Sequence, residues 1–164
     1  MKSTPSFLPT FNKRGQHGVA SIEFSLIALI MITMLIGMFV WWRTFQAHQS
    51  LTRATGDGAR IAHSLISSGK QYPCVVKNFE DNQASIQNEV KQVILNSLKQ
   101  SNMPGNIDTD FQFSPEKWSC SPGRFEFHTS YNIPPIFGGI GGLLEPEKIS
   151  ERGVINFNVL PTTP

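Results

Sequence analysis

Hydrophobic and polar positions along this chain fall into four successive patterns. Residues 1–18 are polar or mixed, and from Phe24 to Trp42 an apolar run follows without a single charge. Nineteen residues in a helix rise about 28 Å, close to the hydrocarbon thickness of a bilayer, so the run predicts a membrane-spanning helix. Beyond it Phe45, His48, Leu51, Thr55, Ala59, Ala62 and Ile66 recur every three or four residues, the stripe of a helix that faces a partner or the remainder of the chain. Val19 to about Ser68 therefore reads as one helix of some 50 residues, roughly 75 Å long. Gly56 and Gly58 lie inside it, each costing about 1 kcal/mol relative to alanine, and mark the place for a kink or break. Ser67-Ser68-Gly69 supplies a stop.

Lys70 to Asp81, with Pro73 and Cys74, reads as a connection. Asp81-Asn82 suits a cap, and Ile86, Val90, Val93, Ile94 and Leu98 then predict an amphipathic helix from about Gln83 to Gln100. Met103-Pro104-Gly105-Asn106 ends it. From there the period becomes two. Ile107, Thr109, Phe111 and Phe113 share one parity, as do Phe125, Phe127, Thr129, Tyr131 and Ile133, and Val154 to Leu160 places Ile155, Phe157 and Val159 on one face. The sum is an α+β chain: a long N-terminal helix, then a small head with one amphipathic helix on a roughly three-stranded antiparallel sheet. Between the last two strands, Pro134 to Leu144 carries four glycines among apolar residues. It is too long for a tight turn, and reads equally as an assembly contact or as a cover for the sheet edge.

Charge adds direction. Of 14 basic side chains, Lys2, Lys13 and Arg14 lie in the first 18 residues, which hold no acidic one; without them 11 basic face 12 acidic side chains, a net of −1. Such a near-neutral remainder has no basic patch of the kind nucleic-acid binding requires. Lys13 and Arg14 precede the apolar run and Arg43 follows it, which favours an N-terminus in the cytoplasm and a head outside it. Both cysteines, Cys74 and Cys120, fall in that outer part, where an even count suggests one disulfide. Closing 45 intervening residues stabilises a small head by about 4 kcal/mol.

The border of the apolar run carries the most specific signal: Gly18-Val19-Ala20-Ser21-Ile22-Glu23-Phe24. A secretory signal has its apolar stretch before the cleavage point, whereas a cut behind Gly18 leaves the apolar helix on the product. Val19 would then bear an α-ammonium, and Glu23 would lie one turn along on the same face. Neither charge is comfortable alone in lipid. The ammonium of one subunit can meet the Glu23 carboxylate of a neighbour, so that docking neutralises both and sets the axial register; alternatively Glu23 reaches the headgroups from its own helix.

These residues resemble the class III signal of type IV prepilins, and in detail the TadE/TadF-like pseudopilins of tight-adherence (Flp) pilus systems. Gln49 to Ala62, with Asp57-Gly58-Ala59-Arg60, resembles the family's post-membrane helix, and Tyr131 to Leu144 is similar to its Tyr-then-Pro, Gly-bearing connection. The resemblance implies cleavage by a prepilin peptidase between Gly18 and Val19, with methylation as a modification open to the new terminus. It also implies Glu23 and Phe24 as recognition residues and a pilin-like head. Its partners would be the major pilin, a sister pseudopilin, the inner-membrane assembly platform and the lipid bilayer. On this reading the chain divides into a leader at 1–18, a transmembrane helix at 19–42, an extramembrane extension at 43–69 and a periplasmic head at 70–164.

Catalytic signals are absent from the sequence. His17, His48, His63 and His128 show no metal-ligand spacing, and His48 and His63 would be about 22 Å apart along one helix. No serine sits in a Gly-x-Ser-x-Gly elbow, and Gly138 to Gly142 fits neither a phosphate loop nor a dinucleotide fingerprint. Asp108, Asp110, Glu116 and Glu126 alternate with apolar residues, as solvent-facing strand positions do. The expectation is a minor pilin or pseudopilin that acts by assembly, with no cofactor or metal. The rival is an uncleaved, signal-anchored periplasmic module for binding or adhesion.

Overall fold

The computed structural model describes residues 17–68, 74, 79–136 and 146–158. The architecture is α+β, with elements in the order α1 (His17–Ser67), α2 (Phe79–Gln100), α3 (Ile107–Asp110), β1 (Phe111–Cys120), β2 (Gly123–Asn132) and β3 (Lys148–Asn156). By its contacts the chain divides into two compact units, Met1–Phe39 and Val40–Pro164.

In the first unit the described residues belong to α1. Its large apolar side chains are exposed, from 40% at Ile36 to 73% at Phe24. The two hydroxyls inside the apolar run turn back to the helix, Ser25 donating to the Ser21 carbonyl (2.8 Å) and Thr33 to the Leu29 and Ile30 carbonyls (3.0 and 2.8 Å). Side chains so satisfied present only carbon outward, which is what a helix in lipid requires.

The second unit holds the core. Leu51, Ala54, Ala62 and Ile66 of α1 pack with Ile86, Val90, Ile94 and Leu98 of α2 and with Phe125, Phe127, Tyr131 and Ile155 of the sheet. The sheet is an antiparallel meander in the order β1-β2-β3. Alternate β2 residues Phe125, Phe127, Thr129 and Tyr131 enter the core, so both long helices of this unit share one sheet face. Phe125 stacks on Trp118 with ring centroids 4.1 Å apart and lies 5.5 Å from Phe127. Within the buried layer Thr55 of α1 and Thr129 of β2 pair their hydroxyls at 2.8 Å. The sulfurs of Cys74 and Cys120 stand at bonding distance, with Cα atoms 5.8 Å apart.

Several expectations require correction. α1 runs through Gly56 and Gly58 without a break, and α2 packs closely at Gly58, where a Cβ would lie 2.7 Å from the Ile94 side chain. Leu51, Thr55, Ala62 and Ile66 of the expected α1 stripe are buried, but Phe45 is 59% exposed and Ala47 and Ala54 lie inside instead. α2 starts at Phe79, before Gln83. Ile107 and Thr109 lie in the single turn of α3, not in a strand, because the Asn106 side chain accepts from the Asp108 backbone N–H and holds the turn. Asp108 and Asp110 go with them, Asp108 paired to Lys99 at 2.9 Å and Asp110 accepting from the Asn106 N–H at 3.0 Å.

The third strand spans Lys148–Asn156 and begins before Val154; Val159, Leu160 and most of the glycine-bearing connection lie outside the described residues, as do residues 1–16 with Lys2, Lys13 and Arg14. Glu126, expected in solvent, is buried at 6% exposure and held by both Arg124 and Arg152. Hydrogen bonding and charge from Glu126 push the Arg152 guanidinium further up from its ordinary value.

Candidate assembly and anchoring surface

Gly18, Val19, Glu23 and Phe24 sit in the first two turns of α1. Val19 and Phe24 are 66% and 73% exposed. A side chain at position 18 would meet nothing within 4 Å, so no packing inside the described chain demands the glycine. Glu23 makes no ion pair among the described residues, and it lies four residues beyond Val19, hence on the same helical face. From Ile22 to Trp42 large apolar side chains continue around the whole helix. By length and composition α1 can cross a membrane, and an unburied apolar surface of this extent marks a lipid- or protein-contacting segment.

The opposite end of the molecule's chemistry is polar and structural. His48 Nε2 approaches Glu151 Oε1 at 3.3 Å, and Thr52 donates to the same oxygen at 2.8 Å, tying α1 to β3. His128 pairs with Glu116 at 3.2 Å across β1 and β2. Ser97 of α2 donates to Asp57 of α1 at 3.2 Å. The Tyr131 hydroxyl donates to the Pro104 carbonyl at 2.7 Å; burial pushes its pKa up, the Asp110 charge adds to this, and Arg43 opposes it. Among the described residues no cluster of three His, Cys, Asp or Glu side chains is placed to hold a metal. These pairs tie the elements of the head to one another: α1 to β3, α1 to α2, and β1 to β2.

The structure thus gathers Gly18, Val19, Glu23 and Phe24 on one helix start, and places Cys74 beside Cys120 in the head. Two arrangements went unread in the sequence. The first is the Glu126 clamp, whose signal was Arg124 two residues before it on the same strand face. The second is a cleft on α1 lined by Arg43 and Arg53, for which the only hint was two arginines one face apart.

Comparison with protein-family models finds one match, to TadE-like protein, over residues 18–60. Neither the curated proteins nor the solved structures give a match. The matched segment starts at Gly18, the second residue of α1, and ends at Arg60, two residues past the approach of Gly58 to α2. From Gly18 to Arg60 the chain is similar to TadE-like proteins.

Proposed function

We propose that the protein is a minor pilin or pseudopilin of a tight-adherence pilus, cut by a prepilin peptidase between Gly18 and Val19 and retained in the membrane by α1. The observation that carries the reading is the start of α1: an apolar helix with sixteen large side chains exposed between Val19 and Trp42, and one carboxylate a single turn from the residue that would become its N-terminus. In the assembly the α-ammonium of one subunit meets the Glu23 carboxylate of another. Each ion alone in hydrocarbon is costly, and pairing removes that cost while fixing the axial register. Gly18 then serves the peptidase, which agrees with the open space around it. The N-terminus faces the cytoplasm and the head the periplasm, where a Cys74–Cys120 bond persists. The partners are the major pilin, a sister pseudopilin and the inner-membrane platform, and the role is assembly for surface attachment.

N-terminal sequencing and intact mass of the membrane-extracted chain test this directly. In cells that hold the peptidase the expected product begins at Val19; in cells lacking it, at Met1. An intact N-terminus in both would overturn the proposal and leave an anchored periplasmic module. A Glu23→Ala chain is expected to be cleaved normally yet to enter filaments poorly, and unimpaired assembly would remove the charge pair from the account.

A further inference from the structure

Immediately past Trp41-Trp42, one face of α1 and the turn at 101–104 enclose a cleft of about 360 Å³, a volume within the range of small-molecule sites. Arg43, Gln46, Gln49, Ser50 and Arg53 line its helical side. The two arginines differ from others in the head: Arg124 and Arg152 are both held by Glu126, whereas among the described residues Arg43 and Arg53 form no ion pair.

Several acceptors at or beside the far wall already take hydrogen bonds. The Pro104 carbonyl takes the Tyr131 hydroxyl, the Leu98 carbonyl takes both the Ser101 hydroxyl and its N–H, and the Asp110 carboxylate takes the Asn106 N–H and the Thr109 hydroxyl. The side chains that line the cleft are rich in donors: two guanidiniums, the three carboxamides of Gln46, Gln49 and Asn102, and the Ser50 hydroxyl. Guanidinium forks match phosphate oxygens in geometry and charge.

Depth along α1 indicates the source of such an anion. Tryptophans concentrate at membrane–water interfaces, so Arg43 stands where the headgroup layer, about 5–8 Å thick on each side, begins. Arg53 follows about 15 Å further on, and both arginine side chains lean toward the helix N-terminus and hence toward the bilayer.

We propose that the cleft binds a phosphate ester, supplied by the headgroup of an anionic phospholipid, with Arg43 and Arg53 as its cationic ligands. The bound lipid would hold the head close to the membrane surface. The inference rests on α1 being a membrane anchor and is independent of filament assembly.

The test uses the full chain in neutral detergent and native mass spectrometry, with phosphatidylglycerol, phosphatidylcholine or inorganic phosphate alone as the probe. The expected result is retention of one phosphatidylglycerol in at least about tenfold preference to phosphatidylcholine, lost in the Arg43→Gln/Arg53→Gln chain and kept in the charge-matched Lys99→Gln/Lys148→Gln chain. Retention of inorganic phosphate with the same arginine dependence supports the phosphate site and makes its source a soluble anion. Equal retention of the two lipids without phosphate binding, or equal loss in both double variants, overturns the proposal. Carbonate extraction of membranes reads the anchor separately. A chain released by carbonate defeats the lipid source, whereas one that resists extraction but binds no phosphate defeats the cleft alone.

Discussion

One helix, α1, passes through two different environments. Between Val19 and Trp42 its leucines, isoleucines and methionines stand 40–72% exposed, while Leu51, Ala54, Ala62 and Ile66 are at 2% or less. The hydrophobic effect acts on both stretches and reaches opposite outcomes. In the first the apolar side chains surround the helix, and no arrangement of a single helix can bury them; the chain leaves that to lipid or to neighbouring subunits. In the second they form a stripe, and a stripe can be covered by α2 and the sheet. The apolar periphery of the first unit is therefore a surface suited to contact with lipid or protein, whereas the head covers its own apolar stripe.

The largest effects should separate those two environments. Phe127→Ala removes a fully buried ring that touches Phe113 and Phe125, and should destabilise the head by about 3–5 kcal/mol. Leu35→Ala, at a position 62% exposed in the first unit, should leave it unchanged. Thermal unfolding of the full chain in detergent, followed by near-ultraviolet circular dichroism, measures both. A similar loss in the two variants would mean that the apolar run is part of the head's core and the contrast would fail.

A smaller effect should come from the contact between α1 and α2. Gly58→Val pushes a branched side chain against Ile94 and Val90, where even a Cβ would stand at 2.7 and 3.3 Å. Overpacking of this kind typically costs about 1–3 kcal/mol, and the loss should appear as faster amide exchange in both helices. If stability instead held, the two helices would have to be separable without cost, and the head's core would rest on the sheet alone.

Much of this was legible beforehand, and the misreadings have local causes. A 3.6-residue period survives along α1 and α2 because each buries one continuous face, so both helices could be placed from spacing. On α1 Leu51, Thr55, Ala62 and Ile66 are buried as the spacing predicts; the departures are Ala47 and Ala54, since alanines carry little of a hydrophobic pattern, and the larger Phe45, which stays out. In the sheet, alternation failed where geometry breaks it. The register of β1 shifts between Pro115 and Lys117, which hides the run from Trp118 to Cys120. In β3 the core-facing positions are Ile149, Glu151, Gly153 and Ile155, of which two look polar or empty. Gly153 is small because the Phe127 ring fills its space, and Glu151 is engaged by Thr52 and His48. Neither fact exists at the level of a single strand. At the start of α1 the opposite holds: Gly18, Val19 and Glu23 stand out by position alone, and among the described residues Gly18 meets no side chain and Glu23 forms no ion pair.

Gly56 gives the smallest and most discriminating test of that last point. It lies within the family-matched segment, two residues from Gly58 and in the same helix, yet a side chain there would meet nothing within 4 Å. Helix propensity alone then governs, and Gly56→Ala should stabilise this part of α1 by about 0.5–1 kcal/mol, seen as a roughly two- to fivefold slowing of amide exchange in the surrounding turns. Faster exchange would mean that the helix needs a flexible point at 56. Should exchange slow as expected while incorporation into filaments falls, the missing side chain is making room for another subunit. The glycine would then belong, with the exposed run before it, to the surface that only the assembly covers.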